Sequence, residues 1–353
     1  MVVLFSLMAL LFFYKGPAIG TAAAADMELS LATYSPVAGA HYEGLKYLSE
    51  EVEKRSNGKV KIRVFWGETL AKAREIPDAV RMGTADMGHW ISRYHPKLIP
   101  FWSGSVAITN GMGKGRPFYE GISTKGYQAY QKVCSEFPEV AHEFDNINQK
   151  ILGAYCYYEE YFIMRKPIYH IDEFKGQRIR SYGALLPAFY KSFGAVPVSI
   201  TSTEAYDGLL RGVVDGAITS VESAYKYKYY ERAKYLVDLT AIMGAHPFNF
   251  PITINRDLWA KLSPEVQKLL ATAVEDSIRA FDKASARVLE NGLNEMKEKG
   301  GVKLIKLPQK EIDALQPKAQ EIFIGSYLKI LESVGYKRDK VMEVIKRWTE
   351  LAY

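Results

Sequence analysis

Residues that commonly carry chemistry are scarce in this sequence. Its 353 residues include two cysteines, Cys134 and Cys156, and six histidines. No two histidines stand four apart, and there is no His-Glu-x-x-His zinc motif or Gly-x-Ser-x-Gly nucleophile elbow. Gly111-Met112-Gly113-Lys114-Gly115 lacks the spacing and the following Ser or Thr of a phosphate loop, and reads as a flexible loop. Local signatures of a metalloprotease, a serine hydrolase and a nucleotide hydrolase are therefore missing. Beyond residue 25 no run is apolar enough to cross a bilayer. A strong charge of one sign is missing too, since 46 basic residues face 40 acidic ones and the excess is spread out. Tyr225-Lys226-Tyr227-Lys228-Tyr229-Tyr230 is the one basic aromatic cluster. It reads as a helix with lysines in water and tyrosines half buried.

The composition is that of a folded soluble domain, with 48% hydrophobic and 24% charged residues. The length exceeds what one compact core takes, so two lobes are expected. Val2 to Tyr14 is almost wholly apolar, and Thr21-Ala22-Ala23-Ala24-Ala25 supplies small residues before Asp26. Residues 1–25 read as a signal peptide cleaved near Ala25, which places the mature chain outside the cytoplasm. A membrane anchor is the alternative. Cleavage removes one charged residue, Lys15, and leaves 45 basic against 40 acidic residues. Cys134 falls on an expected helix and Cys156 on an expected strand; a disulfide and two separate thiols both remain open.

Met27, Leu29 and Leu31 alternate with polar residues as in a strand, and Tyr42, Leu45, Leu48 and Val52 recur at helical spacing. A strand over Val60, Ile62 and Val64, a helix over Ile76 to Met82 and a strand after Asp86 complete a βαβαβ pattern. The second half repeats it. A strand through Ile179, a helix from Leu186 to Phe193, a strand from Ala195 to Val198, a helix from Thr203 to Arg211 and a strand from Asp215 follow in order. The fold class is α/β, with two lobes of mostly parallel sheet and a ligand cleft between them. Ser263-Pro264-Glu265 starts a long amphipathic helix that braces both lobes. Lobe I is expected to hold 26–156 plus about 243–288, and lobe II 157–242 plus about 289–353.

Arg180 ends a strand, where a fixed guanidinium faces the cleft. Its planar fork suits a carboxylate. Arg178, two residues earlier, points to solvent.

Several segments carry a resemblance: Glu50-Glu51-Val52-Glu53-Lys54-Arg55-Ser56-Asn57-Gly58-Lys59-Val60, Ala79-Val80-Arg81-Met82-Gly83-Thr84-Ala85-Asp86-Met87-Gly88, and Phe174-Lys175-Gly176-Gln177-Arg178-Ile179-Arg180. Phe193-Gly194-Ala195-Val196-Pro197, Leu210-Arg211-Gly212-Val213-Val214-Asp215-Gly216 and Leu262-Ser263-Pro264-Glu265 complete the set. In this order they resemble the substrate-binding proteins of tripartite ATP-independent periplasmic (TRAP) transporters, of the C4-dicarboxylate-binding type. The resemblance covers essentially the whole mature chain. It implies a periplasmic receptor with no catalytic activity and no cofactor or metal. It implies closure around an organic acid and delivery to membrane permease subunits driven by an ion gradient. Arg180 matches the arginine that grips the ligand carboxylate.

The chain departs from that pattern before Arg165-Lys166-Pro167-Ile168, where Tyr157-Tyr158-Glu159-Glu160 stands in place of a second arginine. After Asp215-Gly216 it has Ala217-Ile218-Thr219-Ser220. These departures turn the expected ligand from a dicarboxylate toward a monocarboxylate with an aromatic or bulky apolar body, such as an aromatic amino or keto acid. Tyr34, Trp90, Trp102, Tyr158 and Phe248 are the candidate aromatic wall, with His246 beside Phe248. Glu159 or Glu160 holds a ligand ammonium or N–H, or else forms a solvated turn or an internal partner for Arg180. Thr109, Ser181, Thr219, Ser220 and Asn249 are candidate hydrogen-bonding groups. The alternatives are a dicarboxylate or sugar acid in the same role, a sensory receptor and, last, a secreted enzyme.

Overall fold

The computed structural model describes residues 26–104, 121–157, 160–243 and 246–352. The expected signal peptide, Thr109, Tyr158 and Glu159 lie outside these residues. The chain starts with β1 (Met27–Thr33), α1 (Gly39–Arg55), β2 (Val60–Phe65), α2 (Ile76–Met82) and β3 (Met87–His89). β1 pairs in parallel with both β2 and β3, the arrangement that the βαβαβ pattern predicts. Leu29, Leu31, Leu45, Leu48 and Val52 are buried, so the two periodicities meet in one core. Helices α3 (Pro100–Ser103), α4 (Ile122–Glu136) and α5 (Pro138–Asp145) then lead to β4 (Gln149–Tyr157).

The second unit follows as β5 (Tyr161–Met164), β6 (Arg178–Ser181), α6 (Leu186–Lys191), β7 (Val196–Ser199), α7 (Ala205–Leu210), β8 (Gly216–Thr219), α8 (Val221–Lys226) and β9 (Tyr235–Asp238). β10 (His246–Asn255) returns to the first unit. The first sheet has the order β2-β1-β3-β10-β4 and the second β11-β9-β5-β8-β6-β7. Both are mixed. The two βαβαβ runs pair in parallel, as do β11 and β9, whereas β10 and β5 run antiparallel to their neighbours. Side-chain alternation specifies a strand and its buried face but not the direction of its partner. The chain crosses between the sheets after β4, after β9 and, through the helices between β10 and β11, a third time. The first two crossings lie side by side, since the Glu160 N–H donates to the Met243 carbonyl at 2.8 Å.

Helices α9 (Arg256–Lys261) and α10 (Pro264–Glu298) come next. Ser263 caps α10 by accepting from the Val266 N–H at 3.3 Å, as its Ser-Pro-Glu start predicts. With 35 residues α10 is about 52 Å long, enough to lie along both sheets. Its first half packs on β4 so closely that a Cβ at Gly153 would stand 2.5 Å from Val274 Cγ1. Its second half reaches the other unit, where Tyr225 donates to Glu295 at 2.9 Å. Met296 sits in the second unit's hydrophobic cluster with Ile163, Leu209 and Leu236. β11 (Lys303–Lys306), α11 (Gln309–Ser333) and α12 (Arg338–Ala352) finish the chain. Cys134 and Cys156 are not joined by a disulfide. No helix among the described residues is long and apolar enough to cross a membrane.

Candidate functional site

β6 lies between β7 and β8, so its carboxyl end is flanked by two other parallel strand ends. Arg180 stands there with 3% of its surface exposed. Its Nε donates to the Ile200 carbonyl at 3.2 Å and its Nη1 to the Ile218 carbonyl at 2.9 Å. Its Nη2 donates to Tyr94 Oη at 3.1 Å. Ile200 and Ile218 belong to the second unit, whereas Tyr94 lies in the turn that follows β3 in the first. Tyr94 Oη also accepts from the Ser202 N–H at 3.0 Å, so one phenol ties the two halves together at the arginine. Arg178 lies on the outer side, in a two-point pair with Asp215 at 3.0 and 2.8 Å. This pair holds the Asp215 carboxyl below the usual carboxylate range.

The Tyr182 ring lies against two guanidiniums. Its centre is 4.6 Å from Arg180 Cζ and 4.7 Å from Arg93 Cζ. Its hydroxyl donates to Glu160 Oε1, and Arg93 Nη2 pairs with the same oxygen at 3.2 Å. Glu160 is wholly buried. Its internal partners are therefore Arg93 and Tyr182 and not Arg180, the partner that the sequence reading raised. The physical reason is that Arg93 arrives from the first unit, a contact that no local spacing encodes. Removing either charge would take this buried partner from the other.

A cavity of ≈ 20 Å³ lies between the halves, lined by Tyr34, Ile91, Tyr94, Arg180, Tyr182, Ser202, Ser223 and Phe250. That is room for about one water. The cavity is too small for a ring-sized molecule. Tyr34 stacks on Phe250 with ring centres 5.9 Å apart, so this wall is aromatic. A wider groove of ≈ 720 Å³, with Tyr47, Lys125, Asp276 and Arg279 on its walls, shares no residue with this cavity. It is open to solvent, and Arg279 is already paired with Glu275 at 3.0 Å and with Asp276.

A buried polar chain runs behind Tyr34. Thr33 Oγ1 lies 2.9 Å from His89 Nδ1, and His89 Nε2 lies 3.2 Å from His41 Nδ1. His41 Nε2 stands 3.5 Å from Glu222 Oε2, and Lys226 Nζ stands 3.4 Å from Glu222 Oε1. Burial and the nearby Lys226 ammonium push His89 down to about 3 and hold His41 well below the ordinary imidazole value. The Lys226 side chain is 1% exposed, so the expectation that this lysine is solvated is corrected. Lys228 keeps the solvated role, with its side chain 66% exposed. The difference is phase: Glu222 and Lys226 share the inner face of α8 at a spacing of four.

The other candidates divide. Tyr34 is on the cavity. Trp90 and Trp102 are core residues: Trp90 donates to Thr253 Oγ1 at 3.1 Å, and Trp102 packs edge-on against Tyr130 and Phe144. Ser181 is buried beside Arg180. Thr219 donates to the Ser220 carbonyl at 3.0 Å, and Ser220 caps α8 by accepting from the Ser223 N–H at 3.1 Å. Asn249 accepts from Ser92 at 2.6 Å. His246 and Phe248 belong to β10, and their side chains lie outside the description. Tyr94, Tyr182, Phe250 and the His41–His89 pair were not singled out. Phe250 shares strand parity with Phe248, which was the one available signal. An irregularity in the β10–β4 register between His246 and Phe250 blurs it.

The family model for bacterial extracellular solute-binding proteins, family 7, matches residues 31–329. A solute-binding protein of Albidiferax ferrireducens is 26% identical over 283 residues, which cover 78% of this chain and 78% of that one. An extracytoplasmic solute receptor of Bordetella pertussis that binds pyroglutamic acid has the same fold, with a TM-score of 0.75 and 17% identity. The match covers 91% of this chain and 99% of that one. A TRAP periplasmic solute-binding protein of Desulfovibrio salexigens with bound orotic acid superposes with a TM-score of 0.75 at 20% identity, covering 92% and 99%.

Proposed function

Because the chain belongs to the bacterial extracellular solute-binding proteins of family 7, the TRAP type, we propose that it captures a small organic monocarboxylate with a flat ring and delivers it to a membrane permease. The observation that carries this reading is the buried Arg180 guanidinium at the end of β6, set against the Tyr182 ring on a cavity walled by Tyr34, Tyr94 and Phe250. Among the described residues its acceptors include two carbonyls and a phenol, which are neutral. A carboxylate is a stronger acceptor than any of them, and the fork takes it at two points. The aromatic wall stacks on a planar body. Pyroglutamate and orotate, the acids named for the two solved structures above, both combine a carboxylate with a ring, and this agrees with the reading.

In this reading the mature protein works in the periplasm and has no catalytic role. The lobes are 26–156 plus about 243–288, and 157–242 plus about 289–353. They part at the crossings next to Glu160 and Met243. Of the hydrogen-bonding candidates, Ser181 and Asn249 are retained as ligand contacts, whereas Trp90 and Trp102 are set aside as core. A thermal-shift screen against pyroglutamate, orotate, aromatic keto acids, galacturonate and succinate tests this. A ligand that binds only the folded state raises the melting temperature. Stabilisation by ring monocarboxylates supports the reading. Stabilisation by succinate alone overturns the ligand class.

A further inference from the structure

The cavity accounts for Arg180 and its rings but not for the four ionisable groups buried behind Tyr34. We propose that Glu222 is a positioning residue for capture, the latch that holds the two halves closed. This rests on the capture reading only for its purpose; the latch itself stands on contacts between named groups. Glu222 and Lys226 sit on α8, directly after β8 of the second sheet. His41 and Ala40 sit in the first turn of α1, after β1 of the first sheet. Glu222 joins the two. Its Oε1 accepts from the Ala40 N–H at 3.1 Å, and its Oε2 faces His41 Nε2 at 3.5 Å. Gly39 makes the approach possible. It has φ +78°, and a Cβ there would stand 2.6 Å from Glu222 Oε1.

Charge balance gives the latch its direction. The Lys226 ammonium lies 5.8 Å from the centre of the Tyr34 ring, which belongs to the first unit, so closing the halves buries it. A buried ammonium is tolerated only with a counter-charge. Glu222 supplies that charge and spends its remaining acceptor capacity on the opposite half. The closed arrangement is therefore the one in which the carboxylate is fully used. Latch and cavity share a wall, since Tyr34 and Ser223 line the cavity while Lys226 and Glu222 flank them in space and sequence.

The test needs no acid, so it is separate from the ligand screen. Small-angle scattering and hydrogen exchange are measured on the purified protein, on Glu222→Gln and on Glu222→Gln with Lys226→Met. Glu222→Gln keeps the shape and strands the ammonium. Its closed-to-open ratio should fall at least tenfold, with a larger radius of gyration and faster exchange at residues 39–42. The double variant removes both charges and should return toward the wild-type curve, a rescue that a merely structural role would not produce. Lys226→Met alone strands the carboxylate and should open the protein as Glu222→Gln does. Wild-type scattering from either single variant overturns the latch, as does a double variant no more closed than Glu222→Gln. If Glu222→Gln does not fold, Lys226→Met decides the question by itself. A protein that binds none of the screened acids, yet opens in these variants, overturns the ligand reading and supports the latch.

Discussion

Arg180 Cζ stands 4.6 Å from the centre of the Tyr182 ring, so the guanidinium lies over a side chain two residues away in sequence. The ring and the hydrogen bonds to Ile200, Ile218 and Tyr94 hold the fork in place, and preorganisation of this kind lowers the entropy cost of binding. Arg180→Ala should weaken binding of the best acid from the screen by about 2–5 kcal/mol, as loss of one partner of a buried charge pair does. Isothermal titration measures it. Arg180→Lys should fail nearly as badly, because an ammonium cannot make the two-point contact. An affinity within threefold of wild type in either variant would remove Arg180 from the site.

Glu160 is engaged within the fold by Arg93 and Tyr182. Glu160→Gln removes the carboxylate that pairs with the buried Arg93 guanidinium at 3.2 Å. The cost should be about 3–5 kcal/mol in urea denaturation. Adding Arg93→Met should recover most of it. A single variant as stable as wild type would show that Arg93 finds another acceptor.

Acid should open the protein. His41 and His89 are charge-neutral in the closed form, with His89 depressed to about 3 and His41 held well below its ordinary value. The charged groups facing them are Glu222 and Lys226 from α8; Tyr155 from β4, Tyr34, Phe250 and Phe281 are the neighbouring rings. In the open form water restores ordinary imidazole behaviour near pH 6.5. A depressed closed-state value means that closure is fully favoured above pH 6.5 and loses ground as pH falls below it, by up to about tenfold per pH unit for each histidine exposed. Scattering curves and acid affinity between pH 8 and 5 check this. A flat profile would mean that both histidines stay buried in the open form.

Gly39→Ala should hinder closure. The added Cβ meets Glu222 Oε1 at 2.6 Å, on a backbone that alanine adopts only with strain. Affinity for the same acid should fall at least tenfold through a faster off-rate, read by stopped-flow fluorescence. Unchanged kinetics would mean that the α1 turn yields without cost.

Strands, helices and their repetition were legible because burial imposes periods of 2 and 3.6 on the sequence. Leu29 and Leu31, Leu45 and Val52, and the cap at Ser263 all carry local signals. Arg180 was legible for the same reason: a strand ending in arginine before a helix is a local pattern. Of the aromatic candidates only Tyr34 is placed on the cavity, because an aromatic ring buried in the core and one that faces a cleft look alike in sequence. Trp90 and Trp102 went to the core, while Tyr94, Tyr182 and Phe250 went to the cavity.

The sequence by itself determined the α/β alternation, the bracing helix, the two units and the position of the cleft arginine, since each depends on residues near one another in the chain. Only the tertiary structure decided the direction of β5 and β10, the pairing of Arg93 with Glu160 and the meeting of His41 with Glu222. Residues 41 and 222 are joined by the docking of one half on the other, and a pattern in either segment alone carries no information about a partner that arrives from 181 residues away.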